Sequence, residues 1–522
     1  MLPRSRWWTV AALALIALPL WHAIRLDHEL KAIGVQEDAF IGLRHLRHFV
    51  EHGRLVYNLD TSTLGATSPL FWITSGLAIW TMHGTPPQEL VLGYHLDFAC
   101  TCWIATLVAF VLLARGALRV VAAAWIVAAV TVFAVGLRYM HLGLEGPFLT
   151  VSLAIVCALV HAGVRPERVL ALCGVLAWDR PEIAALALPA VLVAIAVHAG
   201  PRLRCAGAFA AGWIAPPLAM LVLTGSPIPN SVRAKSFFGA TAEALRAHPV
   251  QYVLDRVGQL RTALDVSEYV VPVVLALLVA ATAWWAVAAL RARTAFPWRL
   301  ALGVFACGYS GFVLTVPQLW EWYPAFWVGF AAIALGVALH DLAARVPRTS
   351  HVAAGAAVIA CAIYVAGRHG FSLARHRAIT ILSQEHDFRG RLGRDLDEKW
   401  HARSVWMEAV GWQGYFNDAR VYDEVGLADS EVFRFAEHDG CGYFMAAMRA
   451  LAPEYVIKRR FELDWNAMFD PPHSCPTGAR MFLDDAARAE WTAHYREVAR
   501  YDSAQPEFFG DYSHLVLFRR VD

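Results

Sequence analysis

The chain has 522 residues, 58% of them hydrophobic and 17% charged, against about 25% charged in an ordinary soluble protein. That excludes a soluble globular protein and points to an α-helical, polytopic membrane protein. A formal net charge of +2, with the basic residues confined to short loops, excludes a nucleic-acid partner.

The first element is the apolar run Trp7 to Ile24, which follows Arg4 and Arg6. It is long enough to span and no small-x-small site follows it, so a retained anchor is expected rather than a cleaved signal. Next come Glu37-Asp38 and a stretch in which Phe40, Leu43, Leu46 and Phe49/Val50 recur at spacings of three and four, with Arg44, Arg47 and His48 between them. This pattern predicts an amphipathic helix on the membrane surface. The acidic pair then sits at its N-terminus, where the helix dipole favours anions; composition alone favours plain N-capping by a solvated acidic pair. The run from Ser68 to Met82 would cover only about 22 Å of a roughly 30 Å hydrocarbon core, so a helix lying in the outer interface is expected there.

Further apolar runs occupy 90–114, 120–137, 147–164, 206–224, 270–290, 300–316, 324–339 and 352–366, and the run from Val169 to Ala199 is broken by Asp179-Arg180-Pro181-Glu182 into two helices. About eleven spans result. With this set, the loops holding Arg115/Arg119, Arg165/Arg168, Arg202/Arg204, Arg291/Arg293/Arg299 and Arg345/Arg348 all share a side with Arg4/Arg6, the positive-inside pattern. The opposite, extracytoplasmic face collects 25–89, 138–146, 178–182, 225–269, 317–323 and everything after about 367. The expected division is a membrane domain over 1–367, with a first module to about 224 and further spans over 270–366, and a small α/β domain over 368–522. Seven of the nine cysteines lie in or beside apolar runs as packing residues. Cys441 and Cys475 stand in the polar C-terminal region, where a disulfide closing a loop of about 35 residues is expected.

Glu37-Asp38-Ala39-Phe40-Ile41-x-Leu43-Arg44, then Gly53-x-Leu55-Val56-Tyr57-Asn58 and Thr67-Ser68-Pro69-Leu70-Phe71-Trp72 resemble the first outer loop of bacterial GT-C glycosyltransferases, and most of all the terminal arabinofuranosyltransferases and their relatives. Gly143-Leu144-Glu145-Gly146-Pro147, Arg180-Pro181-Glu182 and Pro227-x-Pro229-Asn230-Ser231-x-x-Ala234-Lys235 follow the same pattern in the same order. So do Glu408-x-x-Gly411-x-x-Gly414-Tyr415, Val421-Tyr422-Asp423-x-x-Gly426-Leu427 and Ala452-Pro453-Glu454-Tyr455-Val456-Ile457. The resemblance covers most of the chain. It implies a module of seven spans with two interfacial helices, and an enzyme that moves a pentose or hexose from a polyprenyl-phosphate donor to a cell-envelope glycan or lipid acceptor. The departures, Glu37 for Asp, Gly146 for Thr and Thr61-Ser62-Thr63-Leu64 for a charged turn, leave sugar and acceptor open.

Such a transfer needs a base for the acceptor hydroxyl and cations for the departing phosphate. Asp38 is the candidate base, its pKa expected to rise through desolvation and repulsion from Glu37, and inversion follows if one displacement does the work. Glu145 is a second acid, orienting the acceptor or sharing a divalent metal such as Mg or Mn; a helix-start anion is the alternative. Asn230, Arg233 and Lys235 are phosphate-binding candidates, with lipid headgroup contacts as the alternative. Arg180 in a break between apolar helices is costly unless it is paired or faces water, so it joins the phosphate-binding candidates, with a structural ion pair to Asp179 and Glu182 as the alternative. Tyr57, Trp320, Trp322 and Tyr323 are candidates for lining a sugar or lipid path; an aromatic belt explains the last three as well. The expected partners are the lipid-linked donor, the acceptor and membrane lipids. A lipid-linked glycan flippase would show ionisable groups deep in several spans, where Asp97 is nearly alone. An envelope assembly protein without enzymatic activity is the remaining alternative.

Overall fold

A computed structural model describes residues 37–87, 90–99, 101–102, 105, 145–198, 200–238, 247–264, 267–291, 296–316, 322–343, 386–466, 480–504 and 513–521. The spans expected at 7–24, 120–137 and 352–366, most of that at 90–114, and Trp320 and Cys475 lie outside these residues. The chain divides into two compact units, one of Met1–Lys31, Leu96–Pro216 and Thr241–Ala378, the other of Ala32–His95, Pro217–Ala240 and Ile379–Asp522. The C-terminal part of the second unit starts at Ile379, and the same unit takes in the two distant segments Ala32–His95 and Pro217–Ala240, whose side chains complete its core and its hydrogen bonds.

Eleven helices occur among the described residues before the C-terminal region: α1 (Glu37–His52), α2 (Pro69–His83), α3 (Gly146–His161), α4 (Pro166–Ala177), α5 (Pro181–Val197), α6 (Arg202–Thr224), α7 (Asn230–Phe238), α8 (Pro249–Leu264), α9 (Val270–Arg291), α10 (Trp298–Thr315) and α11 (Trp322–Ala343). Three of them, α6, α9 and α10, are long and apolar enough to cross a membrane, and α5 is a shorter apolar helix. Proline opens α3, α4 and α5, where its missing N–H costs nothing.

In the first unit, small residues set the helix spacing. A Cβ on Gly174 of α4 would strike the backbone of α6 at Phe209 and Trp213, and one on Gly212 would strike Ala171. Gly303 of α10 likewise lies against Thr282 and Trp285 of α9. Large apolar residues such as Leu203, Leu218 and Val222 on α6 and Val273, Leu277 and Val279 on α9 remain exposed, as expected of faces turned to lipid.

In the second unit, the C-terminal region adds α12 (Arg391–Glu398), β1 (Ser404–Met407), α13 (Trp412–Tyr415), β2 (Arg420–Asp423), α14 (Ser430–Asp439), α15 (Tyr443–Leu451), β3 (Tyr455–Arg459), α16 (Arg460–Trp465), α17 (Asp485–His494), β4 (Tyr495–Asp502) and β5 (His514–Arg520). The sheet order is β2-β1-β3-β5-β4. Strands β2, β1 and β3 run parallel, and β5 and β4 add on antiparallel. One cluster gathers Trp406, Phe444, Phe482 and Trp491. A second gathers Leu392, Val405, Val421, Ile457 and Leu517, and into it comes Tyr57 from the first outer segment. Asp429 and Asp484 cap α14 and α17 by accepting from Glu431 N and Ala487 N at 2.8 and 2.7 Å. The expected small α/β domain is therefore present.

Candidate functional site

Helix α1 carries the acidic pair, and the two carboxylates have different surroundings. Glu37 accepts from the backbone N–H groups of Gly411 and Trp412 at 2.7 and 3.1 Å and faces Arg389 at 3.6 Å. Burial still raises its pKa, against the pull of Arg389 and the two amides. The glycines of Gly411-x-x-Gly414 permit this closeness, since a Cβ at Gly411 would run into Glu37 and one at Gly414 into Tyr57. Glu37, a catalytic candidate by its place in the acidic pair, anchors α1 to the start of α13. Asp38, next along, is only partly buried.

The polar face of α1 differs from its sequence reading. Arg44 and Arg47, taken as residues turned to headgroups and water, are 2% and 3% exposed. Arg44 donates to the carbonyls of Tyr57, Asn417 and Ala419 at 2.9, 2.8 and 2.8 Å and to that of Gly414. Arg47 reaches Tyr415 O at 3.0 Å and the Asp418 carboxylate at 2.6 Å. The other face packs on α2, where Trp72 lies over Gly42 and Phe49 against Gly76. The helix is buried all round because loop 414–419 needs donors for its carbonyls. Desolvation lowers the Arg44 guanidinium to about 10.

Burial also keeps His45 and His48 neutral, lowering the first to about 4 and the second to about 2. Gly65 N donates to His45 Nε2 at 2.9 Å, so Nδ1 holds the proton and donates to Ile41 O at 2.7 Å.

Four further candidates, Tyr57, Asn230, Arg233 and Lys235, lie in the same unit. Tyr57, expected to line a path, is fully buried and its hydroxyl donates to Val410 O; it is a core residue because the sheet face needs its ring. Asn230, expected at a phosphate, donates its amide to the carbonyls of Gly426 and Leu427, the latter at 3.4 Å, while its own N–H reaches Leu64 O at 2.8 Å. It holds the turn after β2. Within that turn the Asp423 carboxylate accepts from Val425 N and Ala428 N at 3.1 and 2.7 Å, and burial raises its pKa to about 8. Arg233 lies over the Phe433 ring and pairs with Glu437 at 3.1 Å, both side chains well exposed. Lys235 falls on α7, and its side chain is outside the described residues. Cys441 is disulfide-bonded.

In the first unit, Arg180 stands just before α5 and is 3% exposed. It is hydrogen-bonded to the carboxylates of Glu145, at the start of α3, and Glu182. Of its expected partners, Asp179 and Glu182, the second is one of the two carboxylates it bonds, and the other is Glu145. Tyr323 and Phe326 of α11 flank the guanidinium with ring centres at 5.5 and 5.1 Å. Tyr309 of α10 lies within electrostatic reach of all three charges. Among the described residues its buried hydroxyl has no hydrogen-bond partner. Trp322 begins α11, and its side chain is outside the described residues. No group of three potential metal ligands occurs among the described residues. Glu145, considered as a metal ligand, has Arg180 against its carboxylate, so the site is built around an arginine.

Sequence reasoning missed Arg44, Arg389 and Tyr309. Only the Gly411-x-x-Gly414 spacing hinted that something packs tightly there.

A family model described as "Domain of unknown function (DUF8728)" matches residues 377–516. No curated protein matches the sequence. The crystal structure of the Archaeoglobus fulgidus oligosaccharyltransferase, tethered through a disulfide to an acceptor peptide with the NVT sequon, is similar in fold at a TM-score of 0.52 and 14% identity. The likeness covers 96% of this chain and 80% of that one. The likeness is one of fold over most of the chain, and three of the described helices are long and apolar enough to cross a membrane.

Proposed function

We propose that this protein is a glycosyltransferase that takes a sugar from a polyprenyl-phosphate donor and passes it, with inversion, to a cell-envelope glycan or lipid on the extracytoplasmic side of the inner membrane. The observation that supports it most is the fold likeness over 96% of the chain to an oligosaccharyltransferase crystallised with its acceptor. The order of the sequence motifs favours a relative of the terminal arabinofuranosyltransferases. Asp38 is assigned as the base for the acceptor hydroxyl on its place in the acidic pair at the start of α1; its neighbour Glu37, equally part-exposed, accepts from two backbone amides. Arg233 and Lys235 are assigned to the donor phosphate. Arg180, held by two carboxylates with the Tyr309 hydroxyl nearby, is assigned to positioning rather than to neutralising the leaving group. Cys441 and Cys475 are assigned to one disulfide.

The test is transfer from synthetic polyprenyl-phosphate sugars, pentose and hexose, in proteoliposomes. Asp38→Asn should lower turnover by about 10²-fold or more, the scale of a lost general base, with donor binding retained. Wild-type turnover in that variant would remove Asp38 from the chemistry. Absence of transfer from every donor by the wild-type protein, together with movement of lipid-linked glycan between leaflets, would replace the reading by a flippase.

A further inference from the structure

A cavity of about 660 Å³ lies inside the first unit, among α3, α4, α5, α9, α10 and α11. Its wall on α3 runs from Leu149 to Val160, a helical rise of about 16 Å, close to half of a roughly 30 Å hydrocarbon core. It is therefore one leaflet deep. The side chains along it are almost all apolar, including Leu153, Ile183, Trp285 and Phe330. Ser152, Cys157 and Cys173 are its small polar members, and its basic residues, Arg299 and His340, come with Trp298 from the start of α10 and the end of α11.

Arg299 is more than half exposed and holds Asp341 through Nε at 2.8 Å. Trp285 donates to the same carboxylate oxygen at 3.0 Å, which fixes Asp341 against the bundle. At the opposite end the nearest buried cation, Arg180, is locked between Glu145 and Glu182 and is not part of the cavity wall. A lipid in this cavity therefore has its anionic headgroup on the Arg299 side. Basic residues at such a mouth attract anionic lipids, and tryptophan is at home at headgroup depth.

We propose that the cavity holds one acyl chain of an anionic phospholipid from the leaflet on the Arg299 side, its phosphate resting on Arg299 beside Trp298. The site is separate from the sugar-transfer reading and does not depend on it. A lipid seated there fills a void that would otherwise separate α3 and α5 from α9 and α11.

Native mass spectrometry of the full chain, released from mild detergent after exchange with phosphatidylglycerol or phosphatidylcholine, tests this without any transfer assay. One phosphatidylglycerol per chain should be retained, about fivefold or more tighter than phosphatidylcholine, the scale of one basic residue near a headgroup. Arg299→Gln should abolish that preference while the helical circular dichroism stays unchanged. Ala190→Phe, which fills the cavity, should lower retention of both lipids. Equal retention of the two lipids by the wild-type chain would overturn the proposal, as would an undiminished preference in Arg299→Gln. Displacement of phosphatidylglycerol by a polyprenyl phosphate at equal concentration would also overturn it, by giving the cavity to an isoprenoid tail.

Discussion

Two buried arginines, one in each unit, are stabilised in opposite ways. Arg180 is neutralised by charge: two carboxylates hold it, and aromatic rings flank it. Arg44 faces backbone carbonyls of Tyr57, Gly414, Asn417 and Ala419 and the face of the Tyr57 ring. The first arrangement sets two acids around one buried cation. The second is a fixed cross-brace between α1 and a loop more than 360 residues away, and no ligand could replace four converging carbonyls at once. Burial of a cation is thus not by itself a sign of function; the kind of partner decides.

The contrast can be broken by mutation, and the largest effect is expected at Arg44. Arg44→Ala leaves those carbonyls buried without donors, each at a cost of about 1–3 kcal/mol, so the second unit should become protease-sensitive at temperatures where the wild-type chain resists cleavage. Unchanged resistance would show that the carbonyls find other donors.

Removing Arg180 should cost about 3–5 kcal/mol, the scale of a broken buried pair. The added change Glu145→Gln should recover part of the loss, because it removes a stranded charge. Additive losses in that double-mutant cycle would show that the two side chains are not energetically coupled.

A third expectation concerns Asp423, whose carboxyl titrates near 8 when folded and near 3.9 when unfolded. A raised carboxyl pKa means that the folded chain holds the proton longer, so stability falls as pH rises from about 4 to 8, by up to about 1.4 kcal/mol per pH unit for one proton. Asp429, raised to about 6 by burial, acts in the same direction. Asp423→Asn should flatten the slope of unfolding free energy against pH in that window; an identical slope would assign the proton elsewhere.

The smallest stability effect is expected at Arg233. Its ion pair with Glu437 is exposed on both sides, and such pairs contribute about 0–1 kcal/mol. If Arg233→Ala lowers transfer while leaving the melting temperature in place, the arginine serves a substrate; if both stay unchanged, it is only a surface residue.

The sequence was most legible where periodicity and length act within one segment. The break at Asp179–Glu182 lies between α4 and α5, and the run Ser68 to Met82 is a single helix, Pro69–His83. The α/β character of the C-terminal region also followed from short apolar runs among helical segments. It was least legible where a residue's partner is far away in sequence. Amphipathic spacing in α1 could not distinguish a face turned to headgroups from one turned to a loop, because arginine suits both. Asn58 is a similar case: its side chain both accepts from Val421 N and donates to Val421 O, at 3.0 and 2.8 Å, covering the outer edge of β2 as a neighbouring strand would. Glu37 and Asp38 looked like equivalent acids, and only the Gly411 and Trp412 amides tell them apart.

The cross-brace also sets a timetable for synthesis. Arg44 and Gly414 are 370 residues apart, which at about 5–20 residues per second puts roughly 20–70 s between the appearance of the donor and of its acceptor. Throughout that interval the intervening segments are still being made, and α1 carries two cations whose partners in the 414–419 loop do not yet exist. A nascent chain arrested before the 414–419 loop would therefore present Arg44 and Arg47 unmasked, a signal by which an unfinished copy can be told from a complete one.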